Sequence, residues 1–246
     1  MEFDLYTIVV LVIAFWWSGF VRAGIGFGGA GLMYPVALLA VDSILFLVPI
    51  ICVQLLIFST ATLIKDHHLI DWKTIGKFFA ILLPTFMIGV FGLITLPADL
   101  VLYTVYAVII YYSLSYIFNF NTAKLGKWLD YPVLLAGGYV SGLSLSGAPL
   151  IAAVAIKKLE KRSVRASLFV LWSVLVIMKL GTLYIYDVDL QLRHQLWLLP
   201  CALVGHLMGL RVHDRLMMVE GPIFYRWLGA GLLAVCVASI GRQLLT

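Results

Sequence analysis

Apolar residues come in long runs, and short polar stretches separate them. Ten runs can be traced, at 5–22, 28–41, 43–64, 74–94, 98–118, 131–143, 147–157, 166–186, 194–210 and 222–241. Most have the roughly 20 residues that a helix needs to cross a bilayer. Three are short, 28–41, 131–143 and 147–157, and runs of that size suit re-entrant or interfacial pieces better than spans. The pattern therefore predicts an all-α polytopic membrane protein with two interrupted regions.

Those interruptions carry related sequences. Gly24-Ile-Gly-Phe-Gly-Gly-Ala-Gly-Leu-Met-Tyr-Pro35 returns 118 positions later as Gly142-Leu-Ser-Leu-Ser-Gly-Ala-Pro-Leu-Ile-Ala-Ala153. At this shift Gly24, Gly29, Ala30, Leu32, Val36 and Ala37 meet identical residues, while Gly26 and Gly28 become Ser144 and Ser146. The same shift pairs Gly19 with Gly137 and Ile70-Asp71 with Val188-Asp189. We read two sequence repeats, 1–122 and 123–246, each a broken hairpin followed by three spanning helices.

Charge gives the repeats an orientation. The most basic stretch, Lys157-Lys-Leu-Glu-Lys-Arg-Ser-Val-Arg165, belongs in the cytoplasm by the excess of Lys and Arg found there. If 131–157 enters and leaves by one face, Lys65, Lys73, Lys77, Lys124, Lys127, Arg211, Arg215 and Arg226 fall inside. Asp42, Asp99, Asp187, Asp189 and the C-terminus then fall outside, and so does the N-terminus if the first hairpin behaves like the second. Corresponding loops lie on opposite faces, which is an inverted repeat. Such repeats place a substrate near the bilayer midplane at discontinuous helices.

Composition agrees. The 246 residues are 63% hydrophobic and 12% charged, with net charge +5 and mean hydropathy +1.06, against about 25% charged in soluble domains. The basic balance sits in interhelical loops and does not suggest nucleic acid. Cys52, Cys201 and Cys236 lie in apolar runs without disulfide or metal spacing, as small hydrophobes do. The N-terminus lacks the basic region of a signal peptide, so the first run is expected to be retained.

Candidate chemistry centres on the two motifs. Gly24, Gly26 and Gly29 have dinucleotide-fingerprint spacing, but the motif needs a preceding strand and an acidic residue about 20 positions on; Asp42 is 13 away. Close helix packing is the plain reading of small residues in a membrane. The functional reading is an anion site. A helix opening within the membrane presents unpaired N–H groups and the positive end of its dipole, and such an end binds anions. Gly28 and Gly29 would open one half-helix; Ser146, Gly147 and Pro149 would open the other, with Ser144 and Ser146 adding hydroxyls and Pro149 fitting a first turn.

Further candidates are cations and repeat-related positions. Lys179 lies well inside a span and either snorkels to the outer interface or lines an anion path. Arg22 precedes the first glycine break, either deep near substrate or at a membrane surface. Gln54 and Trp172 occupy equivalent repeat positions, on segments that also carry Ser59, Thr60, Thr62, Ser167, Ser173 and Thr182. Adjacent His67 and His68 read as solvated loop residues, so neither metal nor cofactor is expected. No carboxylate sits in the middle of a run, and no metalloprotease, nucleophile-elbow or Walker motif occurs.

The glycine-proline motif in both halves, with the Asp71-Trp72 step after the third run, resembles the TauE/SafE family of sulfite and sulfonate exporters, also called the 4-toluene sulfonate uptake permease family. The resemblance covers essentially the whole chain. Gly24, Gly26, Gly28, Gly29 and Pro35 carry its first half; Ser146, Gly147, Ala148 and Pro149 carry the second, where one glycine is serine, and Asp189-Leu190 lacks the aromatic of the second step. It implies transport of sulfite, sulfoacetate or a similar sulfonate across a bacterial inner membrane, as an exporter. Alternatives are another small-anion permease, an uptake carrier, an intramembrane enzyme or a scaffold. The expected partners are the anion, the bilayer and, as a candidate assembly, a second copy in a homodimer.

Overall fold

The computed structural model describes residues 3–24, 29–119, 126–219 and 222–245, with backbone alone at 61, 62, 212–219, 222–225, 244 and 245. The described residues form ten α-helices, two one-turn 3-10 helices and no strand. The helices are α1 (Leu5–Gly24), α2 (Gly29–Ala37), α3 (Ile44–Asp66), α4 (Trp72–Thr95), α5 (Ala98–Ile117), α6 (Asp130–Ser144), α7 (Ala148–Lys158), α8 (Lys161–Ile185), α9 (Leu192–Val219) and α10 (Pro222–Leu245). Among the described residues α1, α4, α5 and α8 are long and apolar enough to cross a membrane, and α3 with the turn after it makes a fifth span when its bend is taken as one. The chain is an all-α, multi-pass membrane protein.

Each apolar run has its helix, and the differences lie at the polar ends. α8 starts at Lys161 and α9 continues to Val219, beyond the runs 166–186 and 194–210. Lys and Arg are good helix formers, so helices continue through basic stretches that hydropathy assigns to loops. α2 ends earlier, at Ala37, in a turn over Leu38–Ala40.

The chain divides into two compact units, and each draws on both sequence halves. One comprises Met1–Ser43, Leu102–Asn121 and Arg193–Thr246; the other comprises Ile44–Val101 and Thr122–Leu192.

In the second unit α6 and α7 form a closed hairpin. Asp130 at the start of α6 meets Lys157 at 2.8 Å and Lys158 at 2.9 Å in the last turn of α7. The two outer ends thus lie together, as a re-entrant pair requires. α4 crosses α6 backbone to backbone. A Cβ on Gly89 would run into the Tyr139 carbonyl oxygen, one on Gly142 into the Phe86 carbonyl oxygen, and one on Gly138 would lie 2.8 Å from the Leu82 carbonyl oxygen. Lipid tails are as apolar as side chains, so helices associate in a bilayer through such close packing. α3 and α8 run antiparallel, with Ser59 and Ser173 hydroxyls 3.0 Å apart and the Asp71 N–H donating to Ser167 Oγ at 3.0 Å.

The first unit uses the same device. The Tyr6 hydroxyl, near the start of α1, donates to the Leu39 carbonyl just past α2 at 3.2 Å. Arg242 of α10 donates to that same carbonyl and pairs with Asp42 at 3.7 Å. α1 crosses α9 through Gly19, Gly205 and Gly209, which face the carbonyls of Ala202, Trp16 and Phe20. A small core of Val21, Leu32 and Leu232 is covered by Trp17, Phe20, Tyr116 and Leu228, and Tyr106 and Ser239 hydroxyls meet at 2.7 Å.

The glycines therefore differ in what a methyl group would do. Gly89→Ala forces α4 off α6, and overpacking of this kind costs about 1–3 kcal/mol. Gly76, exposed on α4, has nothing within 4 Å of an added Cβ, so Gly76→Ala is expected to stabilise by about 0.4–1 kcal/mol through the unfolded chain. Thermal melts of the two variants in detergent check this; equal melting temperatures would contradict the crossing.

Candidate functional site

The break in the second unit is built from backbone first. α6 ends at Ser144, Leu145 takes a left-handed conformation at φ 65°, and Gly147 caps α7 with proline in its first turn. A non-glycine residue at positive φ is uncommon, and here it reverses the chain between two half-helices. Gly147 has no room for a side chain: a Cβ would meet the Gly137 carbonyl oxygen, Ser141 Oγ and Ser141 N. Close packing therefore explains Gly142 and Gly147 directly. Ser144 and Ser146 are buried, their hydroxyls 2.6 Å apart, and Ser144 also donates to the Val140 carbonyl at 3.3 Å.

Lys179 reaches this break. Its side chain is wholly buried, so it does not snorkel. Its ammonium donates to the Ser141 carbonyl at 2.7 Å and lies 5.6 Å from the centre of the Phe86 ring. Ser141 is in the last turn of α6, where the dipole end is negative, and its carbonyl also accepts the capping Leu145 N–H at 3.0 Å. The contact suits a cation there, but a carbonyl supplies only a partial charge. Among the described residues no carboxylate lies within ion-pair distance of Lys179.

Gln54 sits at the same depth. Counting from the Ser59–Ser173 contact, five residues back along α3 gives Gln54 and six forward along antiparallel α8 gives Lys179, a mismatch of about 1.5 Å. Both amide atoms of Gln54 are buried without a hydrogen-bond partner among the described residues, and so is Trp172 Nε1. Trp172 packs edge-on against Phe169 at 5.8 Å. Thus Lys179 and Gly147 both meet Ser141, Ser144 and Ser146 pair with each other at the break, Gln54 lies level with Lys179, and Trp172 lies about two turns back along α8.

The first unit holds Arg22, Gly24 and Gly29. Arg22 is 6% exposed, and its Nη2 donates to Ser18 Oγ at 3.5 Å. Its side chain is thus packed within the first unit. Gly24 ends α1 and Gly29 begins α2. A Cβ on Gly29 would lie 2.9 Å from the Ser18 carbonyl oxygen and 3.3 Å from Arg22 Cβ, so Arg22 stands directly beside the first residue of α2. Gly26 and Gly28 lie outside the described residues.

Three contributors escaped the sequence reading. Ser141 acts through its carbonyl, which no residue type announces, and Phe86 lies in a different helix. Asp130 did leave a signal, an acid that opens a run ending in a lysine pair. His67 bonds the Ile64 carbonyl and meets His68 edge-on.

Over residues 10–240 the chain matches the protein family described as Sulfite exporter TauE/SafE. No curated protein and no solved structure matches it.

Asp71 lends the site's supporting helices a pH dependence. It caps α4, accepting from the Thr74 N–H at 3.0 Å and the Thr74 hydroxyl at 2.8 Å, and these bonds hold its carboxyl below the usual carboxylate value. A lowered folded-state value means stability that is full above the ordinary carboxylate range and is lost as pH falls through the lowered one. Thermal melts on acidification should therefore decline less steeply in Asp71→Asn than in the native chain. Parallel acid limbs would contradict the assignment.

Proposed function

Since the chain belongs to the TauE/SafE family of membrane transporters for sulfur-containing anions, we propose that it exports sulfite or a small organosulfonate. Lys179 and the α6–α7 break then hold the anion in the second unit. The observation that carries this reading is the buried ammonium without a carboxylate. A buried charge is costly unless paired, and an ionisable group inside a membrane protein usually marks a substrate or ion pathway. A small anion supplies the missing charge. The Gln54 amide offers N–H groups level with Lys179, the Trp172 indole offers one about two turns back along α8, and the N-terminal end of α7 adds a favourable dipole. Arg22 beside Gly29 is the corresponding cation of the first unit.

The two closed hairpins and their glycine crossings support the inverted repeat, with 1–122 and 123–246 as its halves. Transport would then alternate access around discontinuous helices. The Lys and Arg excess of Lys157–Arg165 would then face the cytoplasm across a bacterial inner membrane. An inside-negative potential favours anion exit by about 2.3 kcal/mol per charge per 100 mV, enough to export a monoanion against more than a tenfold gradient. Without a carboxylate in the middle of a run, no proton needs to move with it.

Two measurements test this on protein reconstituted into liposomes. Sulfite efflux should accelerate when the potential repels the anion and should ignore a pH gradient alone; a flux driven by pH and indifferent to potential would contradict export along the potential. Lys179→Met should abolish sulfite flux while leaving the melting temperature unchanged or raised, because replacing a buried charge by an apolar residue of similar volume is often neutral or stabilising. Undiminished flux in Lys179→Met would remove Lys179 from the site.

A further inference from the structure

Three nitrogen-bearing side chains recur at seven-residue intervals along α8: Arg165, Trp172 and Lys179. Seven residues make nearly two full turns, with a drift of about 20°, so the three share one face, about 10.5 Å apart. Lys179 is 0% exposed and Trp172 8%. Arg165 Nε and Trp172 Nε1 are both buried, and neither has a hydrogen-bond partner among the described residues. A buried donor without an acceptor costs about 1–3 kcal/mol. Two of them in register with a buried ammonium, on one helix face, are hard to account for as packing.

Aromatic rings lie against these groups. The Phe169 ring lies 5.7 Å from the Arg165 guanidinium carbon and stands edge-on to Trp172 at 5.8 Å and 90°. The Phe86 ring lies beside the Lys179 ammonium at 5.6 Å. Arg165 lies three residues past Arg162, at the end of a stretch that also carries Lys157, Lys158 and Lys161. Among the described residues none of the three makes an ion pair. The face offers donors and positive charge at intervals, and offers an anion no competing carboxylate.

We propose that this face of α8 is the anion's route through the second unit, with Arg165 collecting a small oxyanion at the basic end, the Trp172 N–H receiving it midway and Lys179 holding it at the hairpin break. The inference rests on the reading of Lys179 as the counter-charge of the anion. It adds Arg165 as a binding residue and gives the three an order. A route of donors selects ligands rich in acceptor oxygens and poor in N–H or O–H groups, which is the chemistry of a deprotonated sulfur oxyanion.

The test uses the full chain in liposomes, with sulfite as the probe. Trp172→Phe keeps an aromatic ring and removes only the N–H; it should cut sulfite flux about tenfold, the scale of one hydrogen bond to an ion, with the melting temperature unchanged. Arg165→Gln should raise the half-saturating sulfite concentration on the Arg165 face severalfold, leave the maximal rate in place and flatten the salt dependence, because charge steering is screened by salt. If both variants transport like the native chain while Lys179→Met is inactive, the route is wrong and the Lys179 site stands. If Lys179→Met also transports normally, both fail. Should Trp172→Phe not assemble, the half-saturation shift of Arg165→Gln decides alone.

Discussion

Lys179 is wholly buried, and its ammonium is held by the Ser141 carbonyl at the end of α6. Much of the second unit follows from that contact. A lysine can be placed there because α6 stops inside the unit and presents the negative end of its dipole, with the Ser141 carbonyl accepting both the Leu145 N–H and the ammonium. The helix stops because Leu145 turns left-handed and Gly147 lets α7 begin against Gly137 and Ser141. The partial charge of a carbonyl offsets part of an ammonium's desolvation, not all of it. The remainder is what a bound anion would offset.

Packing and charge meet at one residue. The Phe86 carbonyl faces Gly142 where α4 crosses α6, and the Phe86 ring lies beside the Lys179 ammonium. A shift of α4 along α6 would therefore move the wall of the site with it. The salt bridges from Asp130 to Lys157 and Lys158 fix the other end of the same hairpin. In the first unit Tyr6 and Arg242 converge on the Leu39 carbonyl and tie the ends of α1 and α2 comparably. Both hairpins are thus anchored at their outer ends and free of side-chain bulk at the glycine crossings.

Hydropathy alone placed the helices, because crossing oil demands satisfied backbone over a fixed length. It misplaced the start of α8 and the end of α9, where basic residues prolong a helix that apolarity no longer marks. The broken hairpins were legible from the doubled motif, and Pro149 stands in the first turn of α7 as its ring geometry favours. The depth of Lys179 was not legible: a long side chain near a helix end can reach water, and only the packing of α4 and α6 around it denies that. Nor could a sequence show that Gly142 and Gly147 are pressed against carbonyl oxygens, since close approach depends on the partner helix. The unpaired nitrogens of Gln54 and Trp172 emerge only when every neighbour is placed.

The central claim is that the buried ammonium exists to meet an anion. The most direct measurement is a structure of the protein soaked with selenite, an oxyanion of sulfite's shape whose selenium scatters anomalously. The selenium signal is expected within hydrogen-bond reach of Lys179 Nζ, on the α8 face that carries Trp172. A selenite signal elsewhere, with Lys179 still bonded to Ser141 alone, would contradict it.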